Sequence, residues 1–114
     1  MNTDTSPLIL IVDDVPQNLQ VLNATLSEQG YRVAAAKSGA QAFQALTRIQ
    51  PDLILLDIMM PDMDGYTVCQ RLKENADTQN IPVIFLTAKS ESEDMIKGFQ
   101  CGGVDYITKP FQPP

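Results

Sequence analysis

Four short, strongly apolar runs recur along the chain and constrain its fold more than any other feature. Segments between them carry helical spacing of apolar residues, and continuous runs of four or five are typical of strands buried on both faces of a parallel sheet. The runs are Leu8–Val12, Leu53–Leu56, Val83–Leu86 and the shorter, more mixed Val104–Ile107.

Each run leads directly to residues that can bind a metal ion or a phosphate. The carboxyl ends of parallel strands lie at one edge of the sheet, where ligands of open α/β folds bind. Three carboxylates at this edge would repel one another, so the pattern predicts a divalent cation among them. The residues in question are Asp13, Asp14, Asp57, Thr87 and Lys109.

The remaining pattern completes an alternation of strands and helices. Tyr31–Ala34 alternates polar and apolar residues and is predicted as an edge strand. The whole predicts an α/β, flavodoxin-like, doubly wound five-stranded parallel sheet of order 2-1-3-4-5, with helix one alone on one face. The helices are predicted from Pro16 to Gly30, from Ser38 through Ile49, over Tyr66–Asn75 and from Ser90 to Gly102.

Composition excludes several classes of function. The chain contains no histidine, which excludes imidazole bases, Ser-His and Cys-His pairs and most transition-metal sites. Its net charge of −6 argues against direct nucleic-acid binding. No apolar stretch approaches the roughly 18 residues of a membrane span, and no signal peptide is recognisable. Cys69 and Cys101 are predicted to be reduced thiols, which favours a cytoplasmic location.

Each strand-end residue also has an ordinary structural interpretation. Asp13 or Asp14 could cap helix one, Asp57 could form a turn, Thr87 could bond to the backbone and Lys109 could be a solvated surface lysine. These interpretations are independent of one another, whereas one Mg²⁺-phosphoryl site explains all five residues. We therefore favour the common site.

Four motifs, in order and spacing, make the chain similar to the receiver domains of bacterial two-component response regulators. The resemblance covers nearly the whole sequence. The motifs are Ile11–Asp14, Leu56–Gly65, Leu86–Ala88 and Tyr106–Phe111.

The resemblance implies a phosphoacceptor site that requires Mg²⁺. Asp57 would accept a phosphoryl group from the phosphohistidine of a histidine kinase or phosphotransfer protein. Asp14 would bind Mg²⁺ directly, Asp13 mainly through water, and Met59 through its backbone carbonyl. The domain would be regulatory, catalysing only its own phosphorylation and dephosphorylation.

The resemblance also implies a switch. Thr87 and Lys109 would contact phosphoryl oxygens, and Thr87 and Tyr106 would move together on phosphorylation. An output domain or effector protein would then recognise the altered surface of helix four and strand five. A cis peptide bond is expected before Pro110.

Three alternatives remain at this point. A small aspartyl phosphatase would need a cap and an acid for the leaving group, neither of which is recognisable in the sequence. A flavin-binding module would need a phosphate loop after strand one, where anionic Asp13 and Asp14 would repel the phosphate. A degenerate receiver used only for assembly would not need all five site residues. The sequence identifies neither the kinase nor the output.

Two further expectations concern the ends of the chain and the lifetime of the phosphoform. Residues 1–7 are predicted to be a disordered tail and residues 8–114 a receiver domain that lacks its fifth helix. Apolar surface around strands one and five would then be uncovered, which suggests a fragment of a longer chain or a homodimer through that face.

Met59 and Lys89 offer no general base near the phosphoryl group, which suggests a long-lived phosphoform.

Overall fold

The computed structural model describes residues 6–87 and the strand at 105–108; for Thr87 and for 105–108 it describes the backbone alone. Strands and helices alternate as far as β4, as the apolar periodicity predicts. The elements are β1 Leu8–Val12, α1 Pro16–Glu28, β2 Arg32–Ala36, α2 Gly39–Leu46, β3 Leu53–Asp57, α3 Gly65–Glu74, β4 Val83–Thr87 and β5 Asp105–Thr108.

The strands form one parallel sheet in the order β2-β1-β3-β4-β5. This confirms the predicted topology, with the most apolar strands β1, β3 and β4 in the interior of the sheet. β1 pairs with β3 so that Val12 lies beside Leu56. β3 pairs with β4 so that Asp57 lies beside Leu86.

The sheet separates two apolar clusters. On one face, Leu19 and Leu22 of α1 pack against a cluster with Ile9 and Ile11 of β1. On the other face, α2 and α3 cover a larger cluster; its helical members include Ala42, Val68, Cys69 and Leu72. The predicted placement of helix one opposite helices two and three is therefore confirmed.

Two corrections concern element boundaries. β2 begins one residue later than predicted and continues to Ala36, because its pairing with β1 extends to the level of Val12. α2 ends at Leu46, so Ile49 lies beyond the helix although it still packs against the core. The end of α1 agrees with the prediction: Gly30, with φ of 90°, follows the helix in a conformation that favours glycine.

The uncovered apolar surface predicted around strands one and five stays a prediction, although two apolar residues of β1 are buried. Ile9 and Ile11 are only 4% and 0% exposed, because they are packed in the cluster that α1 covers. The predicted helix four, the absence of a fifth helix and residues 1–5 of the predicted tail lie outside the described residues. No helix in the described part of the chain is long and apolar enough to cross a membrane.

Candidate functional site

The register of β1 and β3 brings the predicted carboxylates together. Val12 and Leu56 are paired neighbours, so Asp13 and Asp57 leave the two central strands side by side. Both side chains are buried, with exposures of 0% and 2%, whereas Asp14 is half-buried. Fully buried carboxylates at adjacent strand ends are costly unless they serve a cation or accept hydrogen bonds.

The dimensions of this carboxylate cluster fit a small, hard cation. One ligand oxygen each from Asp13, Asp14 and Asp57 lies within 4.8 Å of the others. Mg²⁺ binds oxygen at about 2.0–2.1 Å, so two oxygens on one ion are at most about 4.2 Å apart. The three oxygens are therefore close to the spacing at which carboxylates can share one such ion.

Electrostatics favour the same conclusion. At separations near 4.8 Å, each pair of ionised carboxylates repels by about 3–4 kcal/mol if the effective dielectric constant is about 20. A divalent cation among them turns this repulsion into attraction. The acidic cluster is thus compatible with a Mg²⁺ site.

Asp13 is held by the residues that begin α1. Its Oδ1 accepts a hydrogen bond from the backbone N–H of Val15 at 2.9 Å, and its Oδ2 accepts one from the Nδ2 of Asn18 at 3.1 Å. The N-cap residue of α1 is Val15, which makes no side-chain cap. The interpretation of Asp13 or Asp14 as the N-cap is therefore wrong, although Asp13 does bind the start of the helix.

Asp57 is positioned by close packing of the backbone. α3 begins at Gly65, whose N–H donates to the carbonyl of Ile58 at 2.8 Å. A Cβ at position 65 would overlap the carbonyl oxygen of Asp57 and lie 2.9 Å from the Cα of Ile58. Only glycine leaves room for α3 to approach the end of β3 so closely.

The loop between Ile58 and Asp64 is anchored at several points. Asp64 caps α3 by accepting from the N–H of Thr67 at 2.8 Å. Asp62 accepts from the N–H of Ala40 at 3.1 Å and, more weakly, from that of Gly39 at 3.4 Å. Met60 is buried. The side chain of Met59, by contrast, is 77% exposed just after the end of β3.

Backbone register places Thr87 at the same edge and Tyr106 two residues before the end of β5. Asp57 pairs with Leu86, so Thr87 follows one residue further along β4. Thr87 pairs in turn with Thr108 of β5, and Tyr106 pairs with Phe85. The side chains of Thr87 and Tyr106, together with Lys109 and the Pro110 peptide bond, lie outside the described residues.

Comparison with known proteins decides the family. Residues 9–114 match the family described as the response regulator receiver domain. The chain belongs to this family. The four motifs and the sheet order had pointed to the same assignment.

Similar proteins include regulators of different kinds. The receiver domain is 46% identical to a DNA-binding dual master transcriptional regulator of Synechocystis over 92% of this chain and 44% of that protein. It is 45% identical to the response regulator PleD of Caulobacter vibrioides over 92% of this chain and 23% of that protein. The chain thus spans less than half the length of these curated relatives.

A solved structure provides a comparison at the level of the fold. The receiver domain of a sensor histidine kinase from Pseudomonas aeruginosa, described with a magnesium ion in its active-site cleft, superposes with a TM-score of 0.85 at 35% identity. The match covers 96% of this chain and 89% of that one. Members of this family are regulatory receiver domains of two-component signalling, which in general accept a phosphoryl group.

Sequence reasoning assigned no role to three residues that hold the site. Asn18 supports Asp13, Gly65 permits the close approach of α3, and Asp62 links the loop after β3 to α2. Gly65 and Asp62 both stand in the recognised motif Leu56–Gly65, so both had a signal, although the motif does not reveal their partners. Asn18 had none, because its partner lies across a loop whose shape depends on the packed fold.

Proposed function

We propose that Asp57 accepts a phosphoryl group from the phosphohistidine of a histidine kinase or phosphotransfer protein, in a reaction that depends on Mg²⁺. One observation carries the proposal. The strand-end carboxylate of Asp57 is buried in a cluster with Asp13 and Asp14, where ligand oxygens lie within 4.8 Å of one another.

The chemical step is a displacement at phosphorus. A carboxylate oxygen of Asp57 forms a bond to phosphorus as the P–N bond of the phosphohistidine breaks, and the bonding electron pair leaves with the imidazole nitrogen. The nucleophile has no proton to lose, so the step needs no protein base. When bound, Mg²⁺ supplies positive charge that offsets the charge on the phosphoryl oxygens.

We assign distinct parts of the cation site to different residues. Asp14 and Asp57 would bind Mg²⁺ directly, with the backbone carbonyl of Met59. Asp13 would act through water, which is supported by the hydrogen bonds that its two oxygens already accept from Val15 and Asn18. Half-buried Asp14 lies nearer to solvent and to an entering ion.

The remaining residues would convert phosphorylation into a change of surface. Lys109 and Thr87 would contact phosphoryl oxygens, and Tyr106 would move with Thr87. Register supports this assignment, because Thr87 follows the partner of Asp57 along β4 and is paired with Thr108, the residue before Lys109. A separate output domain or effector protein would bind the altered surface formed by helix four and β5.

Intact-mass measurement after incubation with acetyl phosphate and MgCl₂ tests the proposal. The wild-type chain is expected to gain one phosphoryl group, and Asp57→Asn none. Asp52→Asn is the matched control, because Asp52 lies at the opposite end of β3, where it accepts a hydrogen bond from the N–H of Leu8 at 2.8 Å. Labelling of Asp57→Asn at the wild-type rate would refute the assignment.

A further inference from the structure

Asn18 makes a contact with the cation site that the phosphoacceptor mechanism does not use. It is the third residue of α1 and half-buried, and its Nδ2 lies 3.1 Å from the Oδ2 of Asp13. The Nδ2 of Asn18 is the donor in this contact, so the amide presents its NH₂ group to an oxygen of Asp13.

Asp13 is thereby held from both sides. The backbone N–H of Val15 donates to Oδ1 at 2.9 Å, while Asn18 donates to Oδ2. The first donor is fixed by the start of the helix and present whatever the side chains are. The second depends on one side chain, which makes Asn18 the replaceable part of this support.

From this geometry we infer that Asn18 is a positioning residue for the cation site. It fixes the orientation of the Asp13 carboxylate and thereby sets the affinity for Mg²⁺. The inference rests on the proposed function, in which Asp13 contacts the cation through water. An outer-shell carboxylate orients a metal-bound water only if its own orientation is fixed.

Loss of Asn18 should therefore weaken Mg²⁺ binding without affecting the fold. Residues that orient a metal ligand typically account for 10–100-fold in affinity. We expect Asn18→Ala to raise the Kd for Mg²⁺ by about tenfold, the lower end of that range, because Val15 still supports Oδ1. Alanine is a better helix former than asparagine, so α1 itself should not be weakened.

The test is a titration with MgCl₂ followed by backbone amide chemical shifts of the ¹⁵N-labelled chain, with far-UV circular dichroism to verify folding. Asn18→Leu accompanies Asn18→Ala, since leucine keeps a branched side chain of similar size without a donor. Asn23→Ala is the matched control, because Asn23 is an exposed asparagine of the same helix that accepts from the Oγ of Ser27 at 3.1 Å. Its Kd should equal that of the wild type.

A double-mutant cycle with Asp13→Ala separates positioning from general structure. The effect of Asn18→Ala on the Kd should disappear when Asp13 is absent. An unchanged Kd in Asn18→Ala or in Asn18→Leu would overturn the inference, as would an equal loss in the Asp13→Ala background. A wild-type chain that binds no Mg²⁺ would instead refute the proposed function, so the two failures are distinguishable.

Discussion

The two loops that carry the acidic cluster hold their carboxylates in different ways. After β1, hydrogen bonds from Val15 and Asn18 orient Asp13. After β3, backbone packing of Gly65 against Asp57 and Ile58 sets the geometry. We refer to these as the hydrogen-bonded loop and the packed loop.

The two kinds of support should affect different properties of the domain. Hydrogen bonds to a carboxylate adjust its orientation and its availability to a cation, and each typically contributes about 1.5–3 kcal/mol to stability. Close contact between the backbone at Gly65 and that of Asp57 and Ile58 cannot be relieved by a side-chain rotation, because the atoms involved belong to the backbone. Substitutions in the hydrogen-bonded loop should therefore change Mg²⁺ affinity, whereas those at the core of the packed loop should change stability and phosphorylation together.

The largest expected effect is that of Gly65→Ala in the packed loop. Its Cβ would meet the Asp57 carbonyl and would lie 3.0 Å from the carbonyl carbon. The backbone of α3 or of β3 must shift to make room, so we expect a loss of at least about 1–3 kcal/mol in the free energy of unfolding. Phosphorylation by acetyl phosphate should slow in the same variant. Urea unfolding followed by circular dichroism measures the first effect.

Gly39→Ala provides the matched control, because Gly39 likewise occupies the first position of a helix, α2. Its added Cβ would lie 3.0 Å from the Cγ2 of Val68 and 3.3 Å from the Cβ of Met63. Neither contact involves a backbone atom, and shifts of a few tenths of an ångström relieve both. Equal stability of the two variants would show that backbone packing does not position Asp57.

The second prediction concerns the two neighbouring acidic residues of the hydrogen-bonded loop. Asp14→Ala should raise the Kd for Mg²⁺ by more than about 100-fold, since a direct ligand is lost, and Asp13→Ala by about 30–100-fold, more than Asn18→Ala because the whole carboxylate is removed. Titration with MgCl₂ at constant ionic strength measures both. Equal affinities, or the reverse order, would contradict the division between direct and water-mediated contacts.

Sequence predicted the architecture well because its signals are local. The apolar runs of β1, β3 and β4 define strands with accurate limits, and their carboxyl ends predict the cluster of Asp13 and Asp57. β2 was misplaced by one residue at its start and by two at its end. Alanines such as Ala36 suit strand, helix or loop, so pairing with β1 rather than composition fixes where that strand ends.

The supports of the site were harder to predict because they depend on the packed fold. Asn18 reaches Asp13 only because α1 begins at Pro16 and turns its third residue back toward β1. Asp62 reaches Ala40 only because two loops meet at the edge of the sheet. Neither the contact of Asn18 with Asp13 nor that of Asp62 with Ala40 can be predicted from the spacing of these residues in the sequence.

The third prediction concerns Met59, an exposed large apolar residue of the packed loop. Its side chain is 77% exposed, so substitution should leave stability unchanged while altering the surroundings of a phosphoryl group. Met59→Glu should speed loss of phosphate by about tenfold, below the 10²–10⁴-fold of a well-placed general base. Met59→Phe, the apolar control, should be no slower than the wild type. An unchanged decay rate in Met59→Glu would remove support for a long-lived phosphoform.

The smallest expected effect is that of charge at Asp62, which connects the packed loop to α2. The hydrogen bond from the N–H of Ala40, with a further contribution from Gly39, holds the pKa of Asp62 below its ordinary value of 3.8. A carboxylate whose pKa is lower in the folded state stabilises the fold fully above the unfolded pKa. That contribution disappears as the pH falls from about 3.8 through the folded pKa.

Asp62→Asn should therefore lower the urea midpoint slightly at neutral pH, by an amount that stays constant down to about pH 5 and narrows below about pH 4. Asparagine keeps an acceptor for Ala40 and removes only the charge at the positive end of α2. Glu74→Gln, at an exposed position in the last turn of α3, removes the same net charge and serves as the control. A difference between wild type and Asp62→Asn that widened toward low pH would have the wrong sign for a carboxylate stabilised in its charged form.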